Sequence, residues 1–272
     1  MVTPVPGVLS TSLSAMTTAL VTGATAGIGA TFARHLASRG HDLVLVARDE
    51  ERLRVSAAEL SRVYGVEVEV LRADLSDVEQ TRAVAARAED ADRPVDLVIN
   101  NAGFGLHSPL LDPDTSTHER ALDVMCRAVL LIGGAAGRAM SARGSGSIIN
   151  VSSTAGWVTL GHYSAIKAWV TAYTEGLAVE LRGTGVTATA LAPGWVHTEF
   201  HERAGIRAGK IPEIAWVDVD RLVGECLDDA ARGKVISIPT RRWKVAIQVA
   251  RHTPRRTIRW VSSALSSSRR PH

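Results

Sequence analysis

Tyr163 and Lys167 stand four residues apart, shortly after the serine pair Ser152–Ser153 and far downstream of a glycine-rich turn. On a helix, positions i and i+4 share one face. A phenol and an ammonium spaced this way lie within reach of each other's charge. A neighbouring cation favours the phenolate and lowers the phenol pKa from about 10 toward working pH. A phenol tuned like that is a competent general acid or base. Taken alone, the pair is weak evidence, since such a spacing is usually a solvated helix face with a half-buried tyrosine. The residues upstream decide between the two readings.

Thr18–Thr22 (TALVT) has the composition of a short buried strand. It runs into Gly23-Ala24-Thr25-Ala26-Gly27-Ile28-Gly29 and then a helical stretch, Ala30 to Ser38, closed by Gly40. Strand, glycine turn and helix make the first half of a mononucleotide-binding unit. Gly23 permits the tight turn, Gly27 lets backbone amides approach a pyrophosphate, and Gly29 lets the helix lie close on the sheet. The second strand, Asp42–Ala47, ends at Arg48. An acid at that strand end accepts from the ribose 2′-OH of NAD, whereas an arginine suits the 2′-phosphate of NADP. Arg48 therefore favours NADP(H) over NAD(H), unless it is merely paired with Asp49 or Glu51.

Further elements keep alternating. Helices are expected at Arg52–Tyr64, Val78–Glu89, about Thr117–Ala142, about Tyr163–Arg182 and Val219–Ala231. Strands are expected at Val66–Leu71, Val95–Asn100, Ser147–Ser152, Val186–Ala192 and Val235–Ile238. Repeated βα units with Val/Ile/Leu-rich strands imply one doubly wound parallel sheet with helices on both faces, a Rossmann-type α/β fold. Ligands of such sheets bind beyond the strand C-termini. Gly23, Arg48, Asp74, Asn100, Ser152 and Pro193 all fall there.

The chain has 272 residues, of which 46% are apolar, enough for one large domain. No apolar run reaches the roughly 18 residues of a membrane span. Cys126 and Cys226 are the only cysteines, too few for a disulfide scaffold, so a reducing cytoplasm is expected and both read as core residues. No metal-ligand spacing occurs. Residues 1–16 read as a disordered extension without a basic signal region, and Met16 is a candidate start. Residues 17–240 form the nucleotide-binding domain.

Residues 241–272 form a basic extension. They carry nine Arg or Lys and no acid, so the net charge of +3 is a tail at +9 against a remainder at −6. Such an extension is a lid packed by Trp243, Ile247 and Trp260, a solvated end, or a contact for an anionic membrane surface, in that order of preference. No nucleic-acid recognition motif accompanies the charge, so no nucleic-acid partner is expected.

The motifs together resemble the short-chain dehydrogenase/reductase family in its single-domain, NADP(H)-type bacterial form. They are Thr22-Gly23-x-x-x-Gly27-x-Gly29, Asp74-Leu75, Asn100-Asn101-Ala102-Gly103, Ser152-Ser153, Tyr163-x-x-x-Lys167 and Pro193-Gly194 with Thr198. The resemblance spans about Thr18 to Ile238. It implies that Tyr163 exchanges a proton with the substrate oxygen while nicotinamide exchanges a hydride with the carbon. Lys167 then holds the nicotinamide ribose and lowers the Tyr163 pKa, and Ser153 hydrogen-bonds the substrate oxygen, with Ser152 as the alternative. Thr25 and Ile28 join the glycine turn on the phosphates, Asp74 and Leu75 meet the adenine, and Asn101, Ala102 and Gly103 flank the adenosine ribose. Pro193, Gly194 and Thr198 grip the nicotinamide end. A homodimer or homotetramer is implied as well, pairing through the long helix and the Tyr163 helix.

Two departures from the family pattern stand out. Met125, in Asp123-Val124-Met125-Cys126-Arg127-Ala128, occupies the usual place of an asparagine that helps hold a water joining the lysine to solvent. A thioether hydrogen-bonds poorly. Also, Ser153 precedes Tyr163 by ten positions where thirteen is common. Phe104, Trp157, His162, Trp195 and Phe200, with a lid from His197 to Trp216, outline a pocket for an apolar carbonyl or alcohol, or else form core and interface. Two functions follow: an NADP(H)-dependent carbonyl reductase or alcohol dehydrogenase, and a catalytically weak dinucleotide-binding protein with a sensing or assembly role.

Overall fold

A computed structural model describes residues 17–106, 108–196 and 213–267. The Met16 start, Thr198, Phe200, Arg269, Arg270 and most of the His197–Trp216 lid lie outside the described residues. Seven parallel strands form the main sheet in the order β3-β2-β1-β4-β5-β6-β9. They are β1 (Thr18–Thr22), β2 (Asp42–Ala47), β3 (Val68–Arg72), β4 (Leu97–Asn100), β5 (Gly146–Val151), β6 (Val186–Leu191) and β9 (Ile236–Ser237). Two short strands, β7 (Trp195–Val196) and β8 (Trp216–Val217), pair separately. The strand order reverses between β1 and β4, where crevices for ligands open in such sheets.

Helices α1 (Gly27–Ala37), α2 (Glu50–Tyr64) and α3 (Val78–Glu89) follow the first three strands. Asp49 and Asp77 cap α2 and α3 by accepting backbone N–H groups. Two apolar clusters cover the sheet, one holding Phe32, Leu36 and Leu222, the other Ile132, Met140 and Ile166.

The long helix differs from its expected form. It runs as α4 (Ser116–Leu122), a π-helical turn (Asp123–Arg127) and α5 (Ala128–Arg143). The extra residue of a π turn changes which side chains face inward, and such turns concentrate at functional sites. By length and composition this helix is able to cross a membrane, but Ala128, Ile132, Ala136 and Met140 are buried in the core.

Helix α6 (His162–Glu180) carries Tyr163 and Lys167. Two polar ladders hold it to the sheet. Asn100 donates to Asn150 at 2.9 Å, and Asn150 donates to Thr174 at 3.0 Å. Ser152 hydrogen-bonds the Lys167 carbonyl and Thr171, both at 2.7 Å. Buried polar groups matched this completely fix one helix position.

After α7 (Val219–Ala231) and β9, the basic extension folds as α8 (Arg241–His252) and α9 (Arg255–Ser267). Ile247 and Ile258 are buried, and Trp243 packs on the core. The expectation that Trp260 also packs inward is corrected, because it is 71% exposed. Trp260 lies two residues, about 200°, from the buried Ile258, which puts it on the opposite side of α9.

Candidate active site

The glycine turn follows directly from backbone geometry. Gly23 and Gly27 have φ of +66° and +53°, a region L side chains rarely adopt. A Cβ at Gly29 would overlap the Gly23 carbonyl oxygen and the Asn101 amide. Helix α1 starts behind Ala26, which provides no side-chain cap, and no acid lies in its first turn. Its first amides are thus left without a side-chain cap, as anion binding requires.

The Asn101 side-chain amide is tied to the glycine turn. It donates to the Thr22 carbonyl at 2.9 Å and the Gly23 carbonyl at 3.3 Å. The Asn101 and Ala102 amides donate to the Thr22 hydroxyl at 2.9 and 3.0 Å. These bonds lock the end of β4 to the glycine turn. Ile28 packs on the core below, and Leu75 is buried. Gly103 lies against Met125: a Cβ there would stand 3.1 Å from the sulfur.

Arg48 is exposed at the end of β2 and forms no ion pair with Asp49 or Glu51 among the described residues. Asp49 is instead the α2 cap. Arg52, which the sequence reading passed over, donates to the Thr25 carbonyl at 2.9 Å and so braces the glycine turn. Asp74 accepts from the Ser76 amide and hydroxyl through Oδ1. Burial alone raises its pKa, but the Ser76 bonds and the charges of Arg48 and Arg120 outweigh that and the carboxyl is net lowered.

At the next strand end the structure separates the two serines. Ser152 is buried in the α6 ladder. Ser153 begins the 3₁₀ turn Thr154–Trp157, accepts from the Ala155 amide at 3.1 Å, and hydrogen-bonds the Tyr163 side chain. Gly156 makes this possible. A Cβ there would lie 2.9 Å from the Ala168 nitrogen and 3.0 Å from the Lys167 carbonyl carbon. Lys167 is buried, with Nζ 5.6 Å from the Tyr163 ring centroid and donating to the Val151 carbonyl at 2.8 Å.

The expected lowering of the Tyr163 pKa is absent from this state. Burial pushes the phenol up to about 12, opposed by the Ser153 bond. Burial likewise lowers Lys167 to about 8, opposed by Cys126. Desolvation penalises both charged forms and here exceeds the pairwise attraction. Met125 is 1% exposed in the apolar core and makes no side-chain hydrogen bond among the described residues. Its neighbour Cys126 is the residue electrostatically coupled to Lys167, and burial raises that thiol to about 11.

The C-terminal extension completes the site. A Cβ at Gly194 would overlap the Trp243 indole, which donates to the Ala215 carbonyl at 3.1 Å. The Pro193 carbonyl accepts from the Thr154 amide and hydroxyl, both at 3.0 Å. Arg251 lies over the Trp157 ring, and the Thr159 amide donates to Ser262. His162 pairs with His118, Nδ1 to Nδ1 at 2.8 Å, and the other His118 nitrogen donates to the Pro109 carbonyl at 3.0 Å. Phe104 stacks under Arg120, and Trp195 packs against Trp216.

The short chain dehydrogenase model matches residues 17–207. The chain belongs to this family. A short-chain dehydrogenase from Sphingobium yanoikuyae in complex with NADPH superposes with TM-score 0.79 and 36% identity, covering 86% of this chain and 93% of its own. The bulky-bulky ketone specific alcohol dehydrogenase from Comamonas testosteroni gives TM-score 0.74 and 31% identity over 86% and 92%. Galactitol 2-dehydrogenase (L-tagatose-forming) of Cereibacter sphaeroides is 35% identical over 76% of this chain and 81% of its own. This short-chain dehydrogenase is therefore an oxidoreductase acting between CH–OH and C=O.

Sequence reasoning on this dehydrogenase missed Gly156, Arg52, Trp243 on Gly194, and the His118–His162 pair. Only Gly156 had a local signal, a glycine in the turn between Ser153 and the tyrosine helix. The others are contacts between residues at least 27 positions apart.

Proposed function

We propose that the protein is an NADP(H)-dependent carbonyl reductase or alcohol dehydrogenase for an apolar substrate. The observation that carries this reading is the Ser153–Tyr163 hydrogen bond with buried Lys167 one helical turn away. The cradle fits a dinucleotide: Gly23 and Gly29 leave no room for side chains, and the α1 amides carry no side-chain cap. Arg48 stands unpaired among the described residues where a 2′-phosphate is read. The NADPH complex of the Sphingobium relative supports the same preference.

When bound, the nicotinamide supplies or accepts the hydride. Gly23, Thr25, Gly27, Ile28 and Gly29 hold the phosphates, Arg48 the 2′-phosphate, Asp74 and Leu75 the adenine, and Asn101, Ala102 and Gly103 the adjoining ribose. Pro193, Gly194 and Thr198 hold the nicotinamide end. In the reductive direction Tyr163 gives its proton to the carbonyl oxygen. Ser153 donates to the same oxygen as alkoxide character develops. The Lys167 ammonium stabilises the resulting phenolate. The roof of Trp157, Trp195 and Trp243 excludes water and favours an apolar substrate, as the ketone specificity of the Comamonas relative suggests.

A homodimer or homotetramer pairing through the α5–α6 face is part of the proposal, supported by exposed Leu130 and Val179 and by Trp169 stacked on Tyr173. Two free cysteines accord with a reducing cytoplasm. The rival reading, a cofactor holder with little turnover, draws on Met125 alone. Oxidation of NADPH and NADH against a panel of ketones, aldehydes and β-keto esters tests the proposal. Cofactor binding without turnover on any of them favours the rival.

A further inference from the structure

The extension that roofs the site has a second, outward side. Helix α8 turns Trp243 and Ile247 toward the domain. By helical spacing its opposite side carries Val245 and Val249, which are 64% and 62% exposed, flanked by Arg241 and Arg242. Helix α9 turns Ile258 and Ser262 inward, and its outward pole is Trp260, with Arg256 and Arg259 beside it on one side.

Every Arg and Lys in α8 and α9 is exposed. Lys244 approaches Glu225 at 3.9 Å and Arg251 lies over Trp157. Arg241, Arg255, Arg256 and Arg259 have no acidic partner among the described residues. No acid occurs anywhere in 241–272.

We propose that α8 and α9 dock this protein on an anionic lipid bilayer. Trp260, Val245 and Val249 enter the headgroup boundary, and Arg241, Arg256 and Arg259 extend to lipid phosphates, whereas Arg242 is held by the Trp216 carbonyl. The pattern selects a bilayer over an acidic protein. The outward poles are apolar and the cations sit beside them, as in an interfacial amphipathic helix with an anchoring tryptophan. Charge also fixes the orientation. The remainder of the chain carries −6 and is repelled by an anionic surface, so only the extension faces it. Because the same helices cover Gly194 and Trp157, docking brings the roofed end of the site to the bilayer.

The test is co-sedimentation of the full chain with phosphatidylcholine vesicles, with and without phosphatidylglycerol. It is read without turnover, so it stands or falls apart from the reductase reading. Partitioning is expected to rise at least about tenfold with the anionic lipid and to fall in high salt. Trp260→Ser, and separately the pair Val245→Ser and Val249→Ser, are each expected to lower it by roughly tenfold, with melting temperature and NADPH affinity unchanged. Equal partitioning on both vesicles, or none, overturns the proposal. Salt-sensitive binding indifferent to the three apolar substitutions overturns it too, because the helices then only adsorb by charge. A loss of oligomer mass with Trp260→Ser in light scattering assigns the face to a second copy and also overturns it.

Discussion

Gly156 presses its Cα against the backbone of Lys167, so the turn that starts at Ser153 is seated directly on the helix that carries Tyr163. A Cβ at this position would meet backbone atoms of Lys167 and Ala168 at 2.9–3.1 Å, which no rotamer change relieves. Gly156→Ala is expected to lift the turn and part Ser153 from Tyr163. It should lower kcat/KM by about 100-fold and stability by about 1–3 kcal/mol, while NADPH affinity holds within a few-fold. Steady-state kinetics and calorimetry on one preparation check the split.

Arg48 sets cofactor choice in this account. Arg48→Ala is expected to weaken NADPH binding by roughly 10–100-fold, the worth of a charge-assisted contact, and to leave NADH binding unchanged. Arg52→Ala should weaken both cofactors alike, since Arg52 braces Thr25 in the shared glycine turn. Isothermal titration of both variants with both cofactors separates the two roles.

Gly194 and Trp243 should behave as one unit. Gly194→Ala forces the indole off its seat and breaks its bond to the Ala215 carbonyl. Trp243→Ala removes the obstacle. The double variant is expected to be more stable than the sum of the single losses by about 1–3 kcal/mol. Additive losses in a thermal double-mutant cycle would refute the contact.

Lys167 gives the site its pH dependence. Its pKa falls from 10.5 to about 8 in the folded protein, chiefly through burial. Between those values the unfolded chain keeps a proton the folded one has lost, so this group makes stability rise with pH from about 8 to 10.5. Tyr163 acts oppositely. Its folded pKa of about 12 lies above the ordinary 10, so its contribution is present below 10 and is lost as pH rises through 12. For reduction, kcat/KM for NADPH, which reports the free enzyme, is expected to decline above pH about 8. Lys167→Arg should be slower and lack that limb, because arginine keeps its proton there.

Much of this was legible from local spacing. The strand, glycine turn and helix at Thr18–Ala37 are written in consecutive residues, and Tyr163 with Lys167 needs only the helical repeat. Ser152 and Ser153 were not separable, because neighbours in extended backbone point to opposite sides and only the position of α6 says which side is which. The Tyr163 pKa went the other way from expectation because spacing reveals the cation but not the burial of both groups. Met125 was legible as a departure, but not the π turn that carries it, nor the nearness of Cys126 to Lys167. Trp260 was grouped with Trp243 and Ile247 by composition, and helical phase separates them.

The central claim is that Tyr163 is the proton donor of an NADPH-dependent reduction. The most direct measurement is single-turnover oxidation of bound NADPH by an accepted ketone, comparing the native protein with Tyr163→Phe. The account predicts a rate loss of about 100-fold or more with unchanged NADPH affinity. Undiminished turnover in Tyr163→Phe would contradict it.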